Sequence, residues 1–327
     1  MSRTTSRRRR RAAGAAVALL AITAAGAAAA LEVQGHRGAR GLLPENTLPA
    51  FESALQHGVD VLELDVGITS DNAVVVSHDR RLSPDVTRDA SGAWIASPGP
   101  VIWQLTHDEV MSYDVGRLKP GSRTARRFAE QRPIDGTRIP TLGQVLALGR
   151  RADQAKLRFN IETKLSPLHP EQTPEPDAFA RRVLGAVAAA GMLERVTIQS
   201  FDWRTLKAVR AQMPAVPTVC LTAERDWLDN IQAGQPGASP WLAGLDVDDH
   251  DGSTAKVAKA AGCAVWSPYF RDLDAARLAE AHALGLAVVV WTVNEPDDMR
   301  RMAELGVDGI ITDYPDRAAQ ALSKYRD

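Results

Sequence analysis

Val61-Leu62-Glu63-Leu64-Asp65-Val66-Gly67-Ile68, the turn Ser70-Asp71-Asn72, and Ala73-Val74-Val75-Val76-Ser77-His78-Asp79 together decide the architecture of this chain. Side chains two apart on a strand share a face, so Glu63 and Asp65 point one way while Leu62, Leu64 and Val66 point the other. An apolar face of that kind packs on helices and turns both carboxylates inward, where they need partners or a cation to stay ionised. The turn is too short for a helical crossover, so the second run is expected to fold back as a hairpin. Pairing about Asp71 sets residues whose numbers sum to about 142 opposite each other. His78 then faces Leu64, between the two carboxylates.

The alternation repeats downstream, where Asn160, Glu162 and Lys164 share a face against Phe159, Ile161 and Leu165. Further apolar runs at Leu31–Gln34, Val196–Ser200, Pro217–Thr222, Ala264–Ser267, Leu286–Val293 and Gly309–Thr312 give nine strand candidates with Leu157–Thr163 included. Helical segments fill most of the gaps: Leu48–His57, Thr141–Arg151, Phe179–Ala190, Thr205–Gln212, Thr254–Ala261, Leu273–Leu284 and Pro296–Leu305. Several stop at glycine, among them Gly191, Gly262, Gly285 and Gly306, as helix C-termini do. Repeated strand-helix units predict one wound α/β domain closing as an eight-stranded barrel. With nine runs, either one lies outside the barrel or the short connection after Ile68 lacks its helix.

Residues 80–140 break the rhythm with Ser83-Pro84, Ser97-Pro98-Gly99-Pro100 and Lys119-Pro120-Gly121, and predict a small inserted subdomain over one barrel mouth. Residues 1–30 stand apart as well. Arg3 and Arg7 to Arg11 precede an Ala-rich apolar stretch with small-x-small sites near Ala28, the pattern of a cleaved secretory signal peptide. The barrel domain is then 31–327, without stable membrane insertion. Composition agrees with a soluble globular chain: 45% apolar and 24% charged over 327 residues. Cleavage leaves 33 basic against 40 acidic residues, which removes any basic nucleic-acid footprint. Cys220 and Cys263 lie in apolar runs and are expected to be buried thiols, since a domain of this size needs no staple.

Three inward carboxylates on two strands, Glu63, Asp65 and Glu162, make an oxygen-ligand set for Ca²⁺ or Mg²⁺. Glu162 with Lys164 also reads as a plain ion pair, and single histidines more often serve structure. His36 and His78 together beside carboxylates shift that balance, because paired imidazoles can take and give a proton near neutrality. Arg37 and Lys164 add positive charge suited to an anionic phosphate. The set describes phosphodiester cleavage.

His36-Arg37-Gly38, Pro44-Glu45-Asn46-Thr47, Glu63-Leu64-Asp65-Val66, Val76-Ser77-His78-Asp79, Ile161-Glu162-Thr163-Lys164, Gln199-Ser200-Phe201, Trp291-Thr292-Val293-Asn294 and Thr312-Asp313-Tyr314-Pro315 resemble, in order, the motifs of the glycerophosphodiester phosphodiesterase family. The resemblance implies a TIM-type (β/α)8 barrel with a small insertion. It also implies hydrolysis of small-molecule glycerophosphodiesters to sn-glycerol 3-phosphate and an alcohol. It makes His36 and His78 the acid-base pair and Glu63, Asp65 and Glu162 the holders of one divalent cation. Arg37 and Lys164 would contact the phosphate, Glu45 would either support the site from behind the ligands or be an auxiliary ligand, and Phe201 and Trp291 would line the glycerol or alcohol side. A periplasmic or secreted location favours Ca²⁺ over Mg²⁺. Two rivals stand beside this: a phospholipase of the same barrel superfamily, with Trp94, Ile95, Val101, Ile102 and Trp103 as an apolar rim, and a two-lobed periplasmic binding protein for a phosphorylated solute.

Overall fold

A computed structural model describes residues 30–326. The expected signal peptide, apart from Ala30, lies outside the described residues. Eight parallel strands close into a ring: β1 (Glu32–Gly35), β2 (Val61–Ile68), β4 (Arg158–Thr163), β5 (Val196–Ser200), β6 (Thr218–Thr222), β9 (Val265–Pro268), β10 (Ala287–Val290) and β11 (Gly309–Thr312). Neighbours run β1-β11-β10-β9-β6-β5-β4-β2, and β2 returns to β1 through Gln34↔Val61 and Gly35↔Leu62. This is a TIM-type (β/α)8 barrel, a single closed unit and not a two-lobed one. Two short strands, β7 (Glu224–Arg225) and β8 (Leu228–Asp229), form a ribbon after β6.

The surplus run is β3 (Val74–Val76), antiparallel to β2 and outside the ring. Its register is Val66↔Val76, Gly67↔Val75 and Ile68↔Val74, as the turn length predicts. The helix that β2 lacks comes after the insertion, at Leu142–Leu146, capped by Thr141 and Gln144. Two helices begin slightly earlier than periodicity places them, because capping signals set the start. Asp202 caps the helix Trp203–Gln212, and Pro176 opens the helix Pro176–Ala189. Gly306 ends the helix Pro296–Leu305 at φ 97°, a left-handed conformation that glycine adopts without Cβ strain.

Leu62, Leu64, Phe159, Ile161 and Ile198 are fully buried between the strands and the outer helices. Each contributes roughly 1.5–3 kcal/mol of transfer free energy. The barrel interior is polar instead. Asn160 Nδ2 donates to Gln34 Oε1 and Gln199 Oε1, both at 2.9 Å, and Gln199 Nε2 donates to Glu63 Oε1 at 2.7 Å. This ladder satisfies otherwise costly buried groups and fixes the first carboxylate of the site.

Residues 80–140 build a satellite core from Leu82, Ile102, Val110 and Ile139 packed on Val75. That packing corrects the apolar-rim expectation: Val101 and Ile102 are buried, and Trp94, Ile95 and Trp103 are half-buried. The thiol expectation is corrected too, since Cys220 and Cys263 form a disulfide. Neighbouring β6 and β9 bring the two Cα atoms to 5.9 Å, within disulfide reach.

Candidate active site

The strand register assembles the acids. Asp65 lies beside Glu162 and Glu63 beside Asn160 across β2 and β4. One oxygen each from Glu63, Asp65 and Glu162 falls within 4.8 Å of the other two, and all three residues are buried. Glu63 accepts the backbone N–H of Arg37 at 2.8 Å, and Asp65 Oδ2 accepts Asn46 Nδ2 at 2.8 Å. Asp65 Oδ1 is buried without a hydrogen-bond donor among the described residues. Lys164 Nζ lies 2.6 Å from Glu162 and 3.6 Å from Asp65.

These carboxylates cannot all ionise easily. Burial, then Asp65 and Glu162, pushes Glu63 well above the usual carboxylate range. Burial, with Asp65 adding, raises Glu162 to about 7 against the pull of Lys164. Burial acts on Asp65 as well, but Lys164, His78, Arg37 and the Asn46 hydrogen bond together hold it low. Three converging oxygens, one of them unpartnered, in a net-repulsive cluster fit a hard divalent cation.

The turn after β1 carries His36 and Arg37. Gly38 makes that turn possible: its φ is 84°, and a Cβ there would lie 2.6 Å from the backbone carbon of Ala50. His36 Nδ1 is 2.5 Å from Asp313 Oδ1, and Asp313 accepts Asn294 Nδ2 at 2.7 Å through its other oxygen. The carboxylate accepts, so Nδ1 carries the proton and Nε2 keeps its lone pair. Nε2 stands 4.0 Å from Glu63. Burial lowers the His36 pKa, opposed by Asp313. His78 follows β3, with Nδ1 2.8 Å from Asp79. Burial, then Arg37 and Lys164, lowers its pKa to about 4.

Arg37 pairs with Glu45 at 2.7 Å and approaches Asp65 at 3.3 Å. Glu45 also pairs with Arg40 at 2.5 Å. Glu45 thus orients the two arginines from outside the three-carboxylate cluster. A cavity of about 670 Å³ opens over these groups. Around the ring, β1, β2 and β4 supply its charged arc. The strands β5, β6, β9 and β10 lead into an aromatic arc of Phe201, Trp227, Trp241, Tyr269 and Trp291. Phe201 meets Trp291 edge-on at 5.3 Å, and Tyr269 bridges Trp227 and Trp291 at 5.4 and 5.5 Å.

Every sequence-predicted residue except Glu45 therefore lines or enters one cavity or its acid cluster. Asp313, Asp79, Asn46 and Gln199 were given no role by sequence reasoning. Their signals existed: each lies inside a quoted motif, and Gln199 shares the inward face through its register with Glu162. Trp227 and Tyr269 had no pattern that pointed to them.

A profile described as the Glycerophosphoryl diester phosphodiesterase family matches residues 36–317. A glycerophosphodiester phosphodiesterase of Caldanaerobacter subterraneus is 28% identical over 293 residues, covering 89% of this chain and 98% of that protein. A solved structure of a candidate glycerophosphoryl diester phosphodiesterase from Silicibacter pomeroyi is 37% identical with a TM-score of 0.80, covering 91% and 95% of the two chains. An Oleispira antarctica phosphodiesterase, solved with its product sn-glycerol-3-phosphate, shares the fold at a TM-score of 0.63 and 19% identity, covering 90% and 97%.

Proposed function

Because the chain belongs to the glycerophosphoryl diester phosphodiesterase family, we propose that it hydrolyses glycerophosphodiesters to sn-glycerol 3-phosphate and an alcohol, using His36 and His78 as its acid-base pair. It is a phosphoric diester hydrolase. The observation that carries the assignment of roles is that both histidines are held at Nδ1 by carboxylates and line one cavity with Glu63 and Glu162.

Glu63, Asp65 and Glu162 would hold one divalent cation, which would supply positive charge to the negative phosphoryl oxygens. Ca²⁺ is favoured over Mg²⁺ because a buried all-carboxylate set suits an ion that sheds its water readily. Arg37, locked by Glu45, presents a fixed guanidinium to the phosphate, and Lys164 stays protonated beside Glu162. One histidine withdraws the proton of the attacking water or glycerol 2-hydroxyl, and the other protonates the departing alkoxide. Phe201 and Trp291 form the apolar wall for the glycerol or alcohol.

An exported location is part of the proposal. The arginine run and Ala-rich stretch of residues 1–30 support it, as does a disulfide, which persists in oxidising compartments. Finding the mature protein in the cytosol with its first thirty residues intact would remove that part. The activity is tested by sn-glycerol 3-phosphate release from glycerophosphocholine and glycerophosphoethanolamine, with chelator and then Ca²⁺ or Mg²⁺ added back. Turnover that ignores the chelator defeats the cation assignment. Near-normal turnover in His36→Ala or His78→Ala defeats the acid-base assignment.

A further inference from the structure

Six cationic side chains line the cavity, and one phosphodiester accounts for only some of them. Arg37 is paired with Glu45 and Asp65, Arg40 with Glu45, and Lys164 with Glu162 and Asp65. Arg80, Arg123 and Arg127 come from the insertion, line the same cavity, and have no carboxylate within 4.0 Å among the described residues. Arg80 donates its Nε to the neutral Gln172 at 3.1 Å. Arg40 and Arg127 both stand over the Phe128 ring, 4.4 and 5.2 Å from its centroid. Phe128 is itself buried, so two like charges are held against one fixed ring. Burial lowers the Arg40 pKa, and Arg37 and Arg127 add to that. Such crowding costs energy unless an anion offsets the charges.

The scissile phosphate belongs on the barrel strands, beside the three carboxylates and the histidines, whereas these arginines approach from the insertion. Resting on the activity proposed above, we infer that Arg80, Arg123 and Arg127 form a second anion subsite, selecting glycerophosphodiesters whose leaving alcohol carries a further phosphate. The cavity volume agrees: about 670 Å³ is in the range of pockets for drug-sized ligands, well beyond a single glycerol phosphate with a small alcohol. The reaction is unchanged. Water adds across the P–O bond, the phosphoryl group keeps the new oxygen, and the phosphorylated alcohol leaves with a proton. The further phosphate can be a terminal phosphomonoester or the next diester of a glycerol phosphate oligomer.

The test compares wild type with Arg123→Ala/Arg127→Ala, two exposed positions, with circular dichroism checking that the fold is kept. Substrates are glycerophosphoglycerol, the same compound with a terminal phosphate, and a glycerol phosphate oligomer without one. Wild type is expected to favour a phosphate-bearing substrate by about tenfold or more in kcat/KM, through KM, as charge-assisted contacts provide. The double variant loses that preference while glycerophosphoglycerol stays within about twofold, because the arginines read only the added charge. Preference for the monoester or for the oligomer identifies the source. Equal rates on all three substrates in wild type, or equal losses on all three in the variant, overturn the subsite. The same compounds are titrated by calorimetry into Ca²⁺-loaded His36→Ala protein with and without the arginine changes. If wild type cleaves none of them, the activity proposal fails, and the calorimetric contrast alone decides the subsite.

Discussion

Asp313→Asn isolates the contribution of a buried carboxylate that touches His36, the proposed acid-base residue, without lining the cavity. Asp313 is fully buried, accepts His36 Nδ1 at 2.5 Å, and is itself held by Asn294 through both its side chain and its backbone N–H. Asparagine keeps the shape but offers an amide that donates as readily as it accepts. The loss begins with one hydrogen bond to a charged group, worth about 1.5–3 kcal/mol, or roughly 10- to 150-fold in rate. The amide also permits the tautomer with Nε2 protonated, which cannot take a proton from the nucleophile, so kcat falls by about 10²–10⁴ in all. KM should move less than about threefold, because Asp313 does not line the cavity. The assay is steady-state sn-glycerol 3-phosphate release, with circular dichroism confirming the fold. Imidazole ¹⁵N shifts should report the tautomer change at His36. A variant with kcat within about threefold of wild type, or one whose loss lies wholly in KM, refutes the positioning role.

In the chelated protein, Glu162 keeps a proton between its ordinary pKa of 4.5 and about 7, where the unfolded chain has lost it. The folded state binds more protons there, so stability falls as pH rises across that window, by at most about 3 kcal/mol. Thermal melts of chelated protein at pH 5 and 7.5 should show the fall, and Glu162→Gln should flatten it while weakening cation binding. His78 has the opposite sign: its folded pKa of about 4 lies below the unfolded value of 6.5, so its contribution is present above 6.5 and is lost as pH falls toward 4. Gly38→Ala forces a Cβ against the Ala50 backbone at a positive φ and should cost about 2 kcal/mol or more by urea denaturation. Opening the Cys220–Cys263 bridge, which closes a loop of 43-residue separation, should cost up to about 4 kcal/mol, and Cys220→Ser and reduction should give matching falls in Tm.

Much of the site is local information. Strand parity alone turns Glu63, Asp65 and Glu162 inward, because successive side chains alternate faces. A short turn leaves one hairpin register, and it sets Val76 opposite Val66 with His78 two residues beyond, without reference to the rest of the chain. Helix stops at Gly191 and Gly306 follow from backbone sterics, and earlier helix starts at Pro176 and Trp203 from capping chemistry. Asp313 with His36 belongs to the other kind of information: 277 residues separate them, and only the pairing of β1 with β11 brings them together. The same holds for Cys220 with Cys263 and for Arg40 with Arg127 over Phe128. The sequence by itself determined which side chains face inward and which strands exist, since those depend on neighbours a few residues away. Tertiary structure decided which of them meet, because barrel closure sets the order of strands around the ring, and no local period encodes that order.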